Sequence, residues 1–167
     1  MGATLFVSIH KLMQSYSYEL FADYYQFYLQ DEDADGDLSD SWSENAVKNL
    51  LAVAPGTIGV GTVRNVDVPV VVEVHDSEPE DDLSEWDQVM ECGIEVPSGR
   101  VVVAGCTDYF PEAERILVPP GSYRARVYYG SLDSDGRDAL EGDDHYKVVL
   151  WSGEVSEVKV IKKRSFV

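Results

Sequence analysis

Apolar and polar positions change their rhythm along the chain. Residues 16–30 carry Tyr16, Tyr18, Phe21, Tyr24, Tyr25, Phe27 and Tyr28, an aromatic-rich stretch that favours a strand. An acidic loop follows, from Asp31 to Asp40. Ser41 and Glu44 then fit a Ser-x-x-Glu capping box, and Ala46, Val47, Leu50, Leu51 and Ala54 recur at helical spacing before Pro55-Gly56. This predicts one short helix near residues 42–54. Beyond it the rhythm is that of β-structure, with strands expected near 57–63, 68–75, 87–96, 100–106, 114–118, 122–130, 145–151 and 155–162. Val68-Pro69-Val70-Val71-Val72 and Arg100-Val101-Val102-Val103 are β-branched runs suited to a pleated surface. Turn signals at Ser98-Gly99, Pro119-Pro120-Gly121 and Ser152-Gly153 separate the strands. The fold class expected is mainly β: an antiparallel β-sandwich of about eight to nine strands with one helix.

The length of 167 residues suits a single domain over 1–167, with 1–15 a peripheral N-terminal segment and 159–167 a basic tail trailing off the last strand. The hydrophobic fraction, 44%, is enough to build a core without metals or disulfides. Cys92 and Cys106 match no zinc spacing and read as reduced thiols. If Ser98-Gly99 closes a hairpin, a three-residue loop sets Cys92 opposite Cys106 and a two-residue loop sets it opposite Gly105. Residues 4–13 are apolar but short and lack a basic leader and a cleavage site, so the expected location is cytoplasmic.

Charge adds the most to this picture. There are 31 acidic and 13 basic residues, a formal net of −18. Such a surface disfavours nucleic acid and anionic membranes and favours basic proteins and divalent cations. Residues 31–44, 73–95 and 133–144 together hold 23 of the 31 acids. If consecutive strands alternate in direction and the helix returns the chain to the end it left, the loops 31–40, 76–86, 107–112 and 131–144 gather at one end. That arrangement puts Asp33, Asp81, Tyr109 and Asp144 together, with Arg64 and Ser98 opposite.

Three chemistries are open. Asp31, Asp33, Asp35 and Asp37, with Gly36, resemble the first half of a calcium loop, but Trp42 stands where the bidentate glutamate belongs, and a solvated acidic loop is the plainer reading. Asp143-Asp144-His145 could ligate a metal or pass a proton, although a surface histidine opening a strand is the commoner outcome. No nucleophile elbow, phosphate loop, dinucleotide fingerprint or His-Glu-x-x-His is present, so the residues make no positive case for an enzyme.

Several segments, taken in order, resemble the competence protein J (ComJ) family. They are Ser17-Tyr18-Glu19-Leu20 through Tyr28-Leu29-Gln30-Asp31, Trp42 to Ala46, Pro55 to Val60, Val68 to Val74, and Glu114-Arg115-Ile116-Leu117-Val118-Pro119-Pro120-Gly121-Ser122-Tyr123-Arg124. The resemblance covers residues 16–130; the acidic insert at 31–37 and the stretch after Gly130 depart from it. It implies a β-sandwich inhibitor of a DNA-entry nuclease, with no catalytic residues to carry over. The expected function is therefore an inhibitor or immunity-like protein that binds a basic partner, a nuclease or toxin. Glu80, Asp81, Asp82, Asp143 and Asp144 would supply the field, and Tyr109 and Phe110 the anchoring contact. The alternatives are a calcium-dependent adhesion module on the Asp31–Asp37 loop and a sandwich enzyme or carbohydrate-binding domain.

Overall fold

The computed structural model describes residues 13–134 and 141–165. Among these residues, eleven strands form two sheets that face each other across one core. The first sheet has the order β1 (Met13–Phe21), β5 (Asp67–His75), β10 (His145–Ser152), β9 (Gly121–Gly130), β6 (Gln88–Val96), β11 (Lys159–Lys162). The second has the order β3 (Leu51–Ala54), β4 (Thr57–Gly61), β2 (Gln26–Asp31), β7 (Arg100–Gly105), β8 (Glu114–Leu117). All neighbours are antiparallel except β5 and β10.

Period-two alternation explains the sandwich. On β9, Tyr123, Ala125, Val127 and Tyr129 face inward, while Arg124, Arg126 and Tyr128 face out. Val68, Val70 and Val72 of β5 and Tyr146, Val148 and Leu150 of β10 join them from the first sheet. Phe27, Leu29, Ile58, Val60, Val101 and Val103 meet them from the second. Tyr129 and Tyr146 are fully buried, with rings edge to face at 6.0 Å. The Tyr129 hydroxyl donates to Leu50 O at 2.6 Å.

Five features differ from the sequence expectation. The aromatic stretch is two strands in different sheets, broken at Ala22–Tyr25. The helix α1 spans only Glu44–Asn49, capped by the Ser43 hydroxyl; Leu50 turns left-handed (φ 56°) and starts the missed strand β3. Apolar spacing in 50–54 served a strand and not a helix. Ser98-Gly99 is a crossover between sheets and not a hairpin, so neither pairing of Cys92 forms. Both thiols are free, and burial pushes that of Cys92 up to about 12. Lys159–Lys162 is no tail but an edge strand on β6.

The fifth difference concerns direction. One end of the sandwich holds Asp31, Gly56, Ser98 and Gly153, and the other holds Ala22–Tyr25, the 62–66 turn and the loops after β7 and β9. The segment 31–50 crosses the outer face of β4, where Leu38 and Trp42 lie against Gly59, and reaches the second end at Leu50–Gly61. β3 then returns the chain to the first end, where Gly56 O accepts from Asp31 N–H at 2.8 Å, so this part of the expected path holds. Because β5 and β6 run the same way, residues 76–87 must also traverse the full height of the first sheet.

Candidate partner-binding surface

The crossing of residues 76–87 separates the acidic segments. Asp33 lies at the first end, beside Ser98. Glu80, Asp81 and Asp82 ride on the outer face of the first sheet. Asp143 and Asp144 lie at the second end, where Arg64 also sits. The single acidic end expected from alternating strands is not formed, and Arg64 is not opposite Asp144 but bonded to it.

Asp144 is fully buried. Its carboxylate accepts from Arg64 Nε and, at 2.6 Å, from the Tyr146 hydroxyl, which in turn accepts from Val63 N–H at 3.0 Å. Burial, and then this carboxylate, push the Tyr146 hydroxyl well up, so it stays a donor. Asp144 therefore pins β10 to the 62–66 turn and is withdrawn from any contact surface. His145 turns the other way, with its ring against Trp86 (5.2 Å) and Nδ1 2.9 Å from Asp143 O, so Asp143-Asp144-His145 does not converge.

The 76–86 segment is held down as a strap. Arg126, nearly buried, reaches Glu91 at 3.0 Å, Pro79 O at 3.1 Å and Asp81 at 3.5 Å, and its guanidinium lies 5.2 Å from the Trp151 ring. Tyr128 donates to Asp81, whereas Leu83 and Trp86 pack on Val89, Tyr128, Val149 and Trp151. Glu80 and Asp82 stay exposed. Ser84, through its backbone and side chain, holds the Asp82 carboxyl below its ordinary value.

Three carboxylates of the calcium-like loop, those of Asp31, Asp35 and Asp37, already accept hydrogen bonds from the protein. Asp31, 2% exposed, accepts from Ser98 N–H (3.1 Å), Ser98 Oγ (2.6 Å) and Asp33 N–H (3.2 Å). Asp35 accepts from Asp37 N–H and Asp37 from Ser39 N–H, and Ser39, through its side chain and then its backbone, holds the Asp37 carboxyl below its ordinary value. Among the described residues, no three His, Cys, Asp or Glu side chains converge as metal ligands.

Tyr109 and Phe110 diverge. Tyr109 is exposed, whereas Phe110 is half-buried with the Arg115 guanidinium 5.1 Å from its ring centre. Tyr109 has company that the sequence reading missed. Among the described residues the exposed large aromatics are Phe21 (40%), Tyr24 (70%), Tyr25 (52%) and Tyr109 (68%), and all four lie at the second end. The aromatic run hid this because a rim and a buried face share one composition; the clue is Ala22-Asp23, where the alternation breaks. Asp23, Asp67 and Asp108 stand among these rings.

Against solved structures the chain is similar to ComJ of Bacillus subtilis, described as an inhibitor of the DNA-degrading activity of NucA. The TM-score is 0.64 over 85% of this chain and 99% of that one, at 18% identity. This is a ComJ-like fold. The product of crocagin biosynthetic gene J is also similar, with a TM-score of 0.55 at 17% identity over 86% of this chain and 99% of that one. No family model and no curated protein matches the sequence. The ComJ resemblance is thus matched in three dimensions, over a larger share of the chain than residues 16–130.

Proposed function

We propose that this protein is a non-enzymatic inhibitor that binds and occludes a basic partner protein, a nuclease. The observation that carries the reading is a large surplus of carboxylate, a net of −18, on a fold shared with a nuclease inhibitor. A nuclease needs a positive groove to hold DNA, and a dense negative surface competes for that groove. Glu80, Asp82 and Asp143, all exposed, supply the field that speeds encounter. Asp81 is the inner member of that group, half engaged by Tyr128 and Arg126. Tyr109 offers contact area, and Phe110 shapes its loop from beneath.

The test is DNA digestion by NucA in the presence of the purified chain. Digestion should slow at equimolar protein, with protection weakening as salt rises. Unchanged digestion at tenfold excess, with no complex by gel filtration at low salt, would count against the reading.

A further inference from the structure

We propose that the second end is the docking face and that it takes arginine or lysine side chains of the partner, with Tyr24 and Tyr25 as the receiving rings. The proposal rests on the reading of this chain as a binder of a basic protein, and adds the place and the chemistry.

The backbone supplies the first observation. Tyr24 and Tyr25 are consecutive residues at φ 59° and 58°, in the left-handed region that side chains disfavour and that glycine enters freely. The geometry is held from several sides. Tyr25 N–H donates to Ala22 O at 3.0 Å and to Asn65 Oδ1 at 3.2 Å, Tyr24 N–H donates to Asp23 Oδ1 at 3.0 Å, and Tyr25 O accepts from Thr62 N–H at 2.8 Å. Both side chains are largely in solvent, so they return little burial for the strain. Backbone strain of this kind is held where surrounding structure over-determines it, often at binding sites.

Charge supplies the second. Three of the segments at this end, residues 21–25, 62–67 and 105–109, contain three carboxylates, Asp23, Asp67 and Asp108, and one base, Arg64, which is buried against Asp144. Aromatic faces flanked by carboxylates suit a guanidinium or ammonium group, which lies over the ring while its charge meets the acid. The chain itself builds such contacts elsewhere, with Arg126 over Trp151 at 5.2 Å and Lys147 over Tyr128 at 4.7 Å. Beside the two rings a shallow groove floored by Trp42, Val47 and Leu50 would receive the aliphatic stem of the incoming side chain.

The experiment titrates the isotope-labelled chain with a hepta-arginine peptide at about 150 mM salt, where diffuse attraction is screened. Amide shifts should concentrate at 21–25, 62–67 and 105–109. The double variant Tyr24→Gly/Tyr25→Gly should bind about tenfold more weakly or worse, with a melting temperature equal to or above wild type, which rules out misfolding as the cause. The proposal is overturned if the peptide does not bind, if shifts fall only at 78–82 or 31–37, or if the double variant binds equally well. Self-association of the wild type that disappears in the double variant would also overturn it, by showing a second copy as the occupant. Failure of the wider reading has a different signature: the peptide maps to this face, but NucA is neither bound nor inhibited.

Discussion

Two residues at the second end test opposite sides of the stability balance. Left-handed backbone costs a non-glycine residue about 1–2 kcal/mol, and the exposed Tyr24 ring returns little of it. Tyr24→Gly should therefore raise unfolding stability by up to about 1 kcal/mol after glycine's greater unfolded-state entropy is offset, as read by urea denaturation. Asp144 is the reverse case. It is buried and bonded to Arg64 and Tyr146, so Asp144→Ala removes a buried ion pair and a hydroxyl's acceptor together. A loss of about 3–5 kcal/mol is expected in the same measurement. A loss below about 1 kcal/mol would count against Asp144 as the pin of this turn.

Among the elements, the segment from Asp31 to α1 shows how a small residue positions a long connection. β4 reads Thr-Ile-Gly-Val-Gly, with Ile58 and Val60 inward and Gly59 outward. A Cβ added at Gly59 would stand 2.8 Å from Leu38 Cδ1 and 3.0 Å from the Trp42 ring, so these side chains can lie flat on the strand only because it is bare there. Gly59→Val should cost about 1–3 kcal/mol through overpacking and should speed hydrogen exchange in residues 37–43 more than in β9. The strap over the first sheet is fixed differently, by Arg126, Tyr128 and Trp86, and is indifferent to that change.

For the molecule as a whole, the charge sets how stability responds to solution conditions. A net of −18 repels itself in the folded state, so the melting temperature should rise between about 20 and 200 mM salt as screening shortens to less than about 10 Å. Acid acts with the other sign. Glu32 is held below its ordinary value by hydrogen bonds from Arg115 and Arg100, and Asp37 and Asp82 by Ser39 and Ser84. A depressed carboxylate contributes stability that is complete above its ordinary pKa and is lost as pH falls through the depressed one. Melting temperature should thus hold steady from neutral pH down to the ordinary carboxylate range and then fall. A melting temperature that climbed throughout acidification would show that self-repulsion outweighs these bonds.

What the sequence by itself determined was the local content. Valine-rich alternation dictated strands, the Ser41-x-x-Glu44 signal announced a helix start that the structure caps with Ser43 instead, and the ordered segments from Ser17 to Arg124 were enough to resemble ComJ, because a pleated strand's inward face is written in every second residue. The acidic loops were equally legible as composition. Only the tertiary structure decided where they go. Strand direction is not encoded in any one strand, and the assumption of strict alternation failed at β5 and β6, which run the same way and draw the 76–87 segment across a face. The same holds for the helix region: 50–54 carries apolar residues that suit either period, and the left-handed turn at Leu50 with pairing to β4 chose the strand. The second end was invisible for a related reason. Phe21, Tyr24, Tyr25 and Tyr109 became neighbours only when β2 paired with β7, and a tyrosine's exposure depends on what packs beside it, which no single segment records.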